Sequence, residues 1–120
     1  MKLLIVDDDP GIRRLLAVVL ASMSPEIAEC ADGSEALAAY EAHQPDVVLM
    51  DIAMQTIDGL TATATITAAH PEAQIVVVSN YDEEDLRAAA RSAGACGYVT
   101  KQNLLELTPL LVRLGLTSGL

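Results

Sequence analysis

Residues 47–51 read VVLMD. An unbroken apolar run, opening with two β-branched residues, ends directly in a carboxylate. Such a run fits a strand covered on both faces, the condition of a parallel sheet. Unbroken apolar runs that end in a polar residue recur at residues 3–8, LLIVDD, and at residues 75–79, IVVVS. Two weaker apolar segments, Ile27–Cys30 and Gly97–Val99, fit edge strands.

Helical patterns with recognisable ends lie between these segments. Asp9-Pro10 reads as a helix cap followed by the first helical position. Ile12, Leu15, Leu16, Val19, Leu20 and Met23 follow at helical spacing, with Arg13 and Arg14 on the other face. Asp32-Gly33-Ser34-Glu35 has the acids of a capping box, and Pro45 closes that helix. A third helix opens at Asp58-Gly59 and ends before His70-Pro71, although its threonines at 61, 63, 65 and 67 alternate as in a strand. A fourth opens at Asp82, carries Glu83, Glu84 and Asp85 in its first turn and Arg87 and Arg91 later, and ends at Gly94, so charge follows the helix dipole. The last segment, Asn103 to Leu116, is apolar and helical in pattern. Pro109 would sit in its interior at a cost of about 3 kcal/mol. A break between Asn103 and Pro109 is therefore expected, with Thr108-Pro109 as cap and first position of a late helix.

The order is strand then helix, five times, which predicts an α/β fold: a parallel sheet with helices on both faces. Right-handed crossovers gather ligands at the carboxyl ends of the strands. Those ends carry Asp7-Asp8, Asp51, Ser79-Asn80 and Lys101.

The chain has 120 residues, 52% of them hydrophobic, with no Trp or Phe and three Tyr. One domain, residues 1–120, with an aliphatic core is expected. A net charge of −10 argues against direct nucleic-acid binding, which needs Lys and Arg against phosphates. Cys30 and Cys96 lack metal-ligand spacing and read as small buried hydrophobes. No signal peptide is recognisable, and no apolar run approaches the roughly 20 residues that span a membrane. A cytoplasmic protein without membrane contact is expected. His43 and His70, before prolines at helix ends, read as surface residues.

Were the first and third strands neighbours, Asp8 and Asp51 would face each other across a crevice. Carboxylates so close raise one another's pKa unless a cation neutralises them. Mg²⁺ is the natural cation: a hard ion that takes one or two carboxylates, water and a phosphate oxygen. With Lys101 and the Ser79 hydroxyl nearby, the set suits phosphoryl transfer to Asp51.

Taken together, VDDDP, VVLMDIAM, IVVVSN and GYVTK at these spacings closely resemble the receiver domain of two-component response regulators, over essentially the whole chain. The resemblance implies a doubly wound, flavodoxin-like five-stranded sheet in the order 2-1-3-4-5 with five helices. Position by position, it implies Asp51 as phospho-acceptor, Asp8 as direct Mg²⁺ ligand and Asp7 as an acid binding the metal mainly through water. It also implies Ala53 as a backbone-carbonyl ligand, Lys101 as the phosphate-binding lysine, Ser79 as the hydroxyl that follows the phosphoryl group and Tyr98 as the aromatic switch. The implied donor is a phosphohistidine on a sensor histidine kinase or phosphotransfer protein. Ile12 and Leu15 read as core residues, on the helix that family members use to dock on kinases. The face formed by the fourth helix, fifth strand and fifth helix would serve output contacts or a homodimer. GACGYVTK most resembles receivers attached to helix-turn-helix DNA-binding domains, which implies a transcriptional output.

Two positions depart from the family pattern. Gln55 stands four residues after Asp51, where Pro is common, and Gln102 follows Lys101, where Pro is also common. A trans peptide is expected before Gln102, since cis costs roughly 3 kcal/mol ahead of a non-proline residue. Two other readings compete. A Mg²⁺-dependent aspartyl-phosphate phosphohydrolase would carry a second Asp where Ala53 stands. A degenerate receiver that only binds partners would not need Asp8, Asp51, Ser79 and Lys101 together. The receiver is therefore expected to phosphorylate and dephosphorylate itself rather than turn over an external substrate.

Overall fold

The computed structural model describes residues 1–116; the last four residues of the expected 1–120 domain lie outside it. Five strands, β1 (Lys2–Val6), β2 (Glu26–Cys30), β3 (Val47–Met50), β4 (Ile75–Ser79) and β5 (Gly97–Thr100), form one parallel sheet in the order β2-β1-β3-β4-β5. The weaker segments are the two edges, and the continuous apolar runs are the central strands. Leu3 to Val6, Val47 to Met50 and Ile75 to Val78 are buried throughout, because helices cover both faces.

The helices are α1 (Pro10–Val19), α2 (Ala36–His43), α3 (Gly59–Ala69), α4 (Glu84–Ala93) and α5 (Leu107–Arg113). One core lies on the α1 and α5 face, with Leu3, Ile5, Leu16, Leu49, Leu107 and Leu111. The other lies on the α2 and α3 face, with Leu4, Val6, Tyr40, Met50, Ile66 and Ile75. Burying aliphatic side chains of this size stabilises by about 1.5–3 kcal/mol each.

Asp9 caps α1 as expected, accepting from the Gly11 amide at 2.8 Å, and Pro10 opens the helix. The alternating threonines of α3 form a helix after all. Asp58 caps it through the Thr61 amide, and the Thr65 and Thr67 hydroxyls donate back to the carbonyls four residues earlier. That bonding removes the conflict between threonine and helix locally. Gly94 ends α4 at a φ of 110°, the left-handed geometry glycine accepts most readily.

Four expectations need correcting. The cap of α4 is Glu83, so Asp82 stays outside the helix and pairs with Arg87 instead. A break before α5 is present, as a 3₁₀ segment over Lys101–Glu106 with non-helical Asn103. The helix nevertheless starts at Leu107, with Glu106 rather than Thr108 in front of it and no side-chain cap bond. Its first turn tolerates Pro109, where a missing N–H costs nothing, and the start at 107 lets Leu107 and Leu111 share a buried face. Cys30 is buried, which pushes its thiol up to about 11, but Cys96 is exposed at the start of the edge strand β5. Leu15 is not core: it is 44% exposed on α1, beside the more exposed Val18, while Ile12 is half-buried against the core. Among the described residues every peptide bond is trans, including that before Gln102. No described helix is long and apolar enough to cross a membrane.

Candidate functional site

The topology puts the ends of β1, β3, β4 and β5 along one rim. β1 and β3 are paired, with Val6 opposite Met50, so the residues that follow them meet across the crevice. The Asp51 amide donates to the Val6 carbonyl at 2.9 Å, which locks Asp51 beside Asp7. Asp7 and Asp51 are buried and Asp8 is exposed. Carboxylate oxygens of all three lie within 4.8 Å of one another.

Lys101, just past β5, reaches across from the other side. Its ammonium is 3.1 Å from Asp7 Oδ2 and 3.2 Å from Asp51 Oδ1. Burial lowers its pKa, but the adjacent Asp7 and Asp51 carboxylates outweigh that, so the lysine stays protonated above its ordinary range. For Asp51 the balance falls the other way. Burial first, then the Asp7 charge, push its carboxyl up to about 6 despite the lysine. One ammonium does not neutralise the cluster.

The cluster fits a hard divalent cation. Asp7 Oδ2 is buried and has no well-aligned hydrogen bond, although the Lys101 ammonium is near it. Asp7 Oδ1 accepts from the Asp9 amide at 2.9 Å, so Asp7 is already partly engaged. Asp8 is exposed at the rim. An all-oxygen set with an unmet negative charge is the donor chemistry of Mg²⁺. Ala53 lies in the loop after β3, exposed, with no side chain that could act as acid or base.

Ser79 ends β4 and is buried. Its hydroxyl accepts from the Tyr81 amide at 3.1 Å, and the Tyr81 carbonyl accepts from the Tyr98 hydroxyl at 2.6 Å. The Arg87 guanidinium stacks 4.7 Å from the Tyr98 ring centre and donates to Asp82 at 2.6 Å. The rim hydroxyl and the half-buried aromatic of β5 are thus joined through one backbone unit. Ile12 and Leu15 lie on α1, outside this cluster.

Several residues of this neighbourhood carry no signal in the sequence. Arg13 donates to the Asp7 carbonyl at 2.6 Å and pairs with Glu29 at 2.8 Å, holding the β1 end from beneath. Gly59 packs so tightly that a Cβ there would sit 1.8 Å from the Asp51 carbonyl oxygen. Arg87 reads locally as a charge near a helix dipole, and only the fold brings it over Tyr98.

Comparison with known proteins agrees with this geometry. The family described as response regulator receiver domain matches residues 3–111. The chain is 38% identical over 112 residues to the transcriptional regulatory protein PdtaR of Mycobacterium tuberculosis H37Rv, covering 92% of this chain and 54% of that protein. It is 36% identical over 100 residues to the chemotaxis protein CheY of Halobacterium salinarum, covering 83% of each. The chain spans about half the length of PdtaR and less of several other regulators it matches. Among solved structures, the crystal structure of the CheX–CheY–BeF₃–Mg²⁺ complex from Borrelia burgdorferi superposes with a TM-score of 0.89 at 26% identity, over 96% of this chain and 89% of that one. The match along nearly the whole chain, the strand order and the relatives lead to one conclusion: this chain belongs to the response regulator receiver family of two-component signalling.

Proposed function

We propose that Asp51 accepts a phosphoryl group from a phosphohistidine on a sensor histidine kinase or phosphotransfer partner, in a Mg²⁺-dependent reaction, and that the chain is a phosphorylation-controlled switch. The observation that carries this is the Asp51 carboxylate itself. It is buried at the strand rim, 3.2 Å from the Lys101 ammonium and beside Asp7 and Asp8.

The chemistry follows from what each residue can do. A carboxylate oxygen of Asp51 forms the new P–O bond as the donor's P–N bond breaks and the imidazole departs. Lys101 holds a positive charge where the phosphoryl oxygens arrive, in a site dry enough to strengthen it. Asp8, Asp51, the Ala53 carbonyl and, through water, Asp7 would hold Mg²⁺, which supplies further charge neutralisation to those oxygens. Ser79 turns its hydroxyl toward the new phosphoryl group and donates to it. Turning Ser79 pulls on the Tyr81 amide, and the Tyr81 carbonyl is what anchors Tyr98. The signal therefore leaves the site through Tyr98 toward the face of α4, β5 and α5, where output contacts or a homodimer would read it. Exposed Leu15 and half-buried Ile12 on α1 would contact the kinase. A transcriptional output, from a cytoplasmic protein of which residues 1–120 form the receiver, completes the proposal.

Intact-mass analysis with acetyl phosphate tests the chemistry. The wild type should gain one phosphoryl mass only when Mg²⁺ is present, and Asp51→Asn should gain none. Equal labelling of both proteins, or labelling unaffected by a chelator, contradicts the assignment.

A further inference from the structure

We propose that Asp32 is a positioning residue for the metal site: its carboxylate holds the loop after β3 in the form that lets Ala53 serve the acidic cluster. The inference rests on the Mg²⁺ site proposed above and adds a residue that lies outside it.

Asp32 is 19 residues before Asp51 in the chain, in the turn between β2 and α2. Its carboxylate accepts from three backbone amides. Oδ2 takes that of Ser34 at 2.9 Å, an ordinary local cap. The other two come from the loop after β3: Thr56 to Oδ1 at 2.9 Å and Ile57 to Oδ2 at 3.2 Å. Amide donors to an ionised acceptor are among the stronger hydrogen bonds. The Ser34 amide first, then that of Thr56, hold this carboxyl well below the usual carboxylate range, so the acceptor stays ionised through mildly acidic conditions. Gly33 sits flush against the same loop. A Cβ there would lie 2.3 Å from the Ile57 carbonyl oxygen, so the two loops touch backbone to backbone.

The loop from Asp51 to Asp58 is short and needs this support. Its far end is fixed, because the Gly59 amide donates to the Ile52 carbonyl at 2.9 Å. Its middle contains Gln55 rather than the proline that the family commonly has there. Proline would fix φ and narrow the loop's conformations without any partner. Here the same restriction comes from outside, through two amides immediately after Gln55. Without Asp32, residues 53–57 gain alternative conformations, and the fraction with the Ala53 carbonyl in place falls. Apparent affinity scales with that fraction, so a drop to about one tenth weakens binding about tenfold.

The test is Mg²⁺ affinity of the 120-residue chain by calorimetry with MgCl₂ alone, at a temperature where every variant is folded. The comparison is wild type, Asp32→Ala, Asp32→Asn and Leu110→Ala. Leu110 packs at Gly97, at the end of β5 opposite Lys101, and reports general destabilisation. Asp32→Ala should bind about tenfold more weakly, with faster amide exchange at Thr56 and Ile57. Leu110→Ala should bind as the wild type does. Asp32→Asn keeps one acceptor oxygen and should fall between, and it carries the test if the alanine variant does not fold. Wild-type affinity in the Asp32 variants, or an equal loss in Leu110→Ala, overturns the inference. A wild type that binds no Mg²⁺ overturns instead the metal site on which the inference rests.

Discussion

On one side of Asp51, the loops after β1 and β3 are tied by side chains bonded to backbone groups and by close backbone packing. Arg13 holds the Asp7 carbonyl, Asp32 holds two amides of the β3 loop, and Gly33 and Gly59 leave no space for a methyl group. On the other side, the path from Ser79 to Tyr98 is a short chain of contacts at an exposed edge. Tyr81 is half exposed, Asp82 is exposed, and Arg87 touches Tyr98 only through its ring face. The contacts on the acidic side act together on two short loops, whereas each contact on the Tyr98 side is single and worth about 1 kcal/mol. The proposed switch needs this division: a cation and a phosphoryl group would meet a preformed cluster, and the response would lie within reach of a few charge-assisted bonds.

The sharpest way to break the rigid side is Gly59→Ala. With a Cβ 1.8 Å from the Asp51 carbonyl oxygen, the backbone must move, at a cost of about 3 kcal/mol. Urea unfolding should show that loss, and phosphoryl acceptance should fall with it. A variant as stable as the wild type would mean the loop yields freely.

Next in size is the burden that Asp51 places on the metal-free fold. Its carboxyl has an ordinary value of 3.8 and is raised to about 6 in the fold. Between those values the folded chain binds more protons than the unfolded chain, so this residue's contribution to stability falls as pH rises. Asp51→Asn should match the wild type below that window. Above it, the variant should be more stable by about 2 kcal/mol. Denaturation across this pH range without Mg²⁺ checks the sign, and adding Mg²⁺ should narrow the gap.

The two neighbouring acids separate the roles within the cluster. Asp7 has Oδ1 engaged by the Asp9 amide and Oδ2 beside Lys101, whereas Asp8 is exposed at the rim. Asp8→Ala should weaken Mg²⁺ roughly tenfold more than Asp7→Ala. Calorimetric titration giving equal losses would erase the distinction.

The smallest expected stability change belongs to the flexible side. Arg87→Ala removes a partly exposed cation–π contact and an exposed ion pair with Asp82, together worth about 1 kcal/mol. Folding stability should shift by no more than that, while the Tyr98 ring resonances should move or broaden. Sharp, unmoved Tyr98 signals would show that Arg87 does not restrain the ring.

The same division explains what could be read in the chain before its fold. The central strands were legible because burial on both faces leaves unbroken apolar runs. Asp51, Asp8, Ser79 and Lys101 were legible because a parallel sheet sends all its strand ends to one rim. The caps at Asp9, Asp58 and Gly94 were legible because capping is local. Leu107 as the start of α5 was not, since buried leucines, rather than the proline, set that boundary. Asp32 announces only its own cap. Its bonds to Thr56 and Ile57 span 24 and 25 residues, a distance at which no periodicity operates. Arg87 over Tyr98 is equally silent, because it depends on how α4 packs beside β5.

On the proposed function, Asp51 receives on a rigid side and Tyr98 answers on a yielding one. Backbone amide and Tyr98 ring shifts, recorded with Mg²⁺ before and after adding beryllofluoride as a phosphoryl mimic, test it most directly. Changes are expected at Asp51, Ser79 and Tyr81 that continue to Tyr98 and through residues 82–93, with residues 53–57 staying ordered. Changes confined to the residues touching Asp51, with Tyr98 and residues 82–93 unmoved, would contradict it.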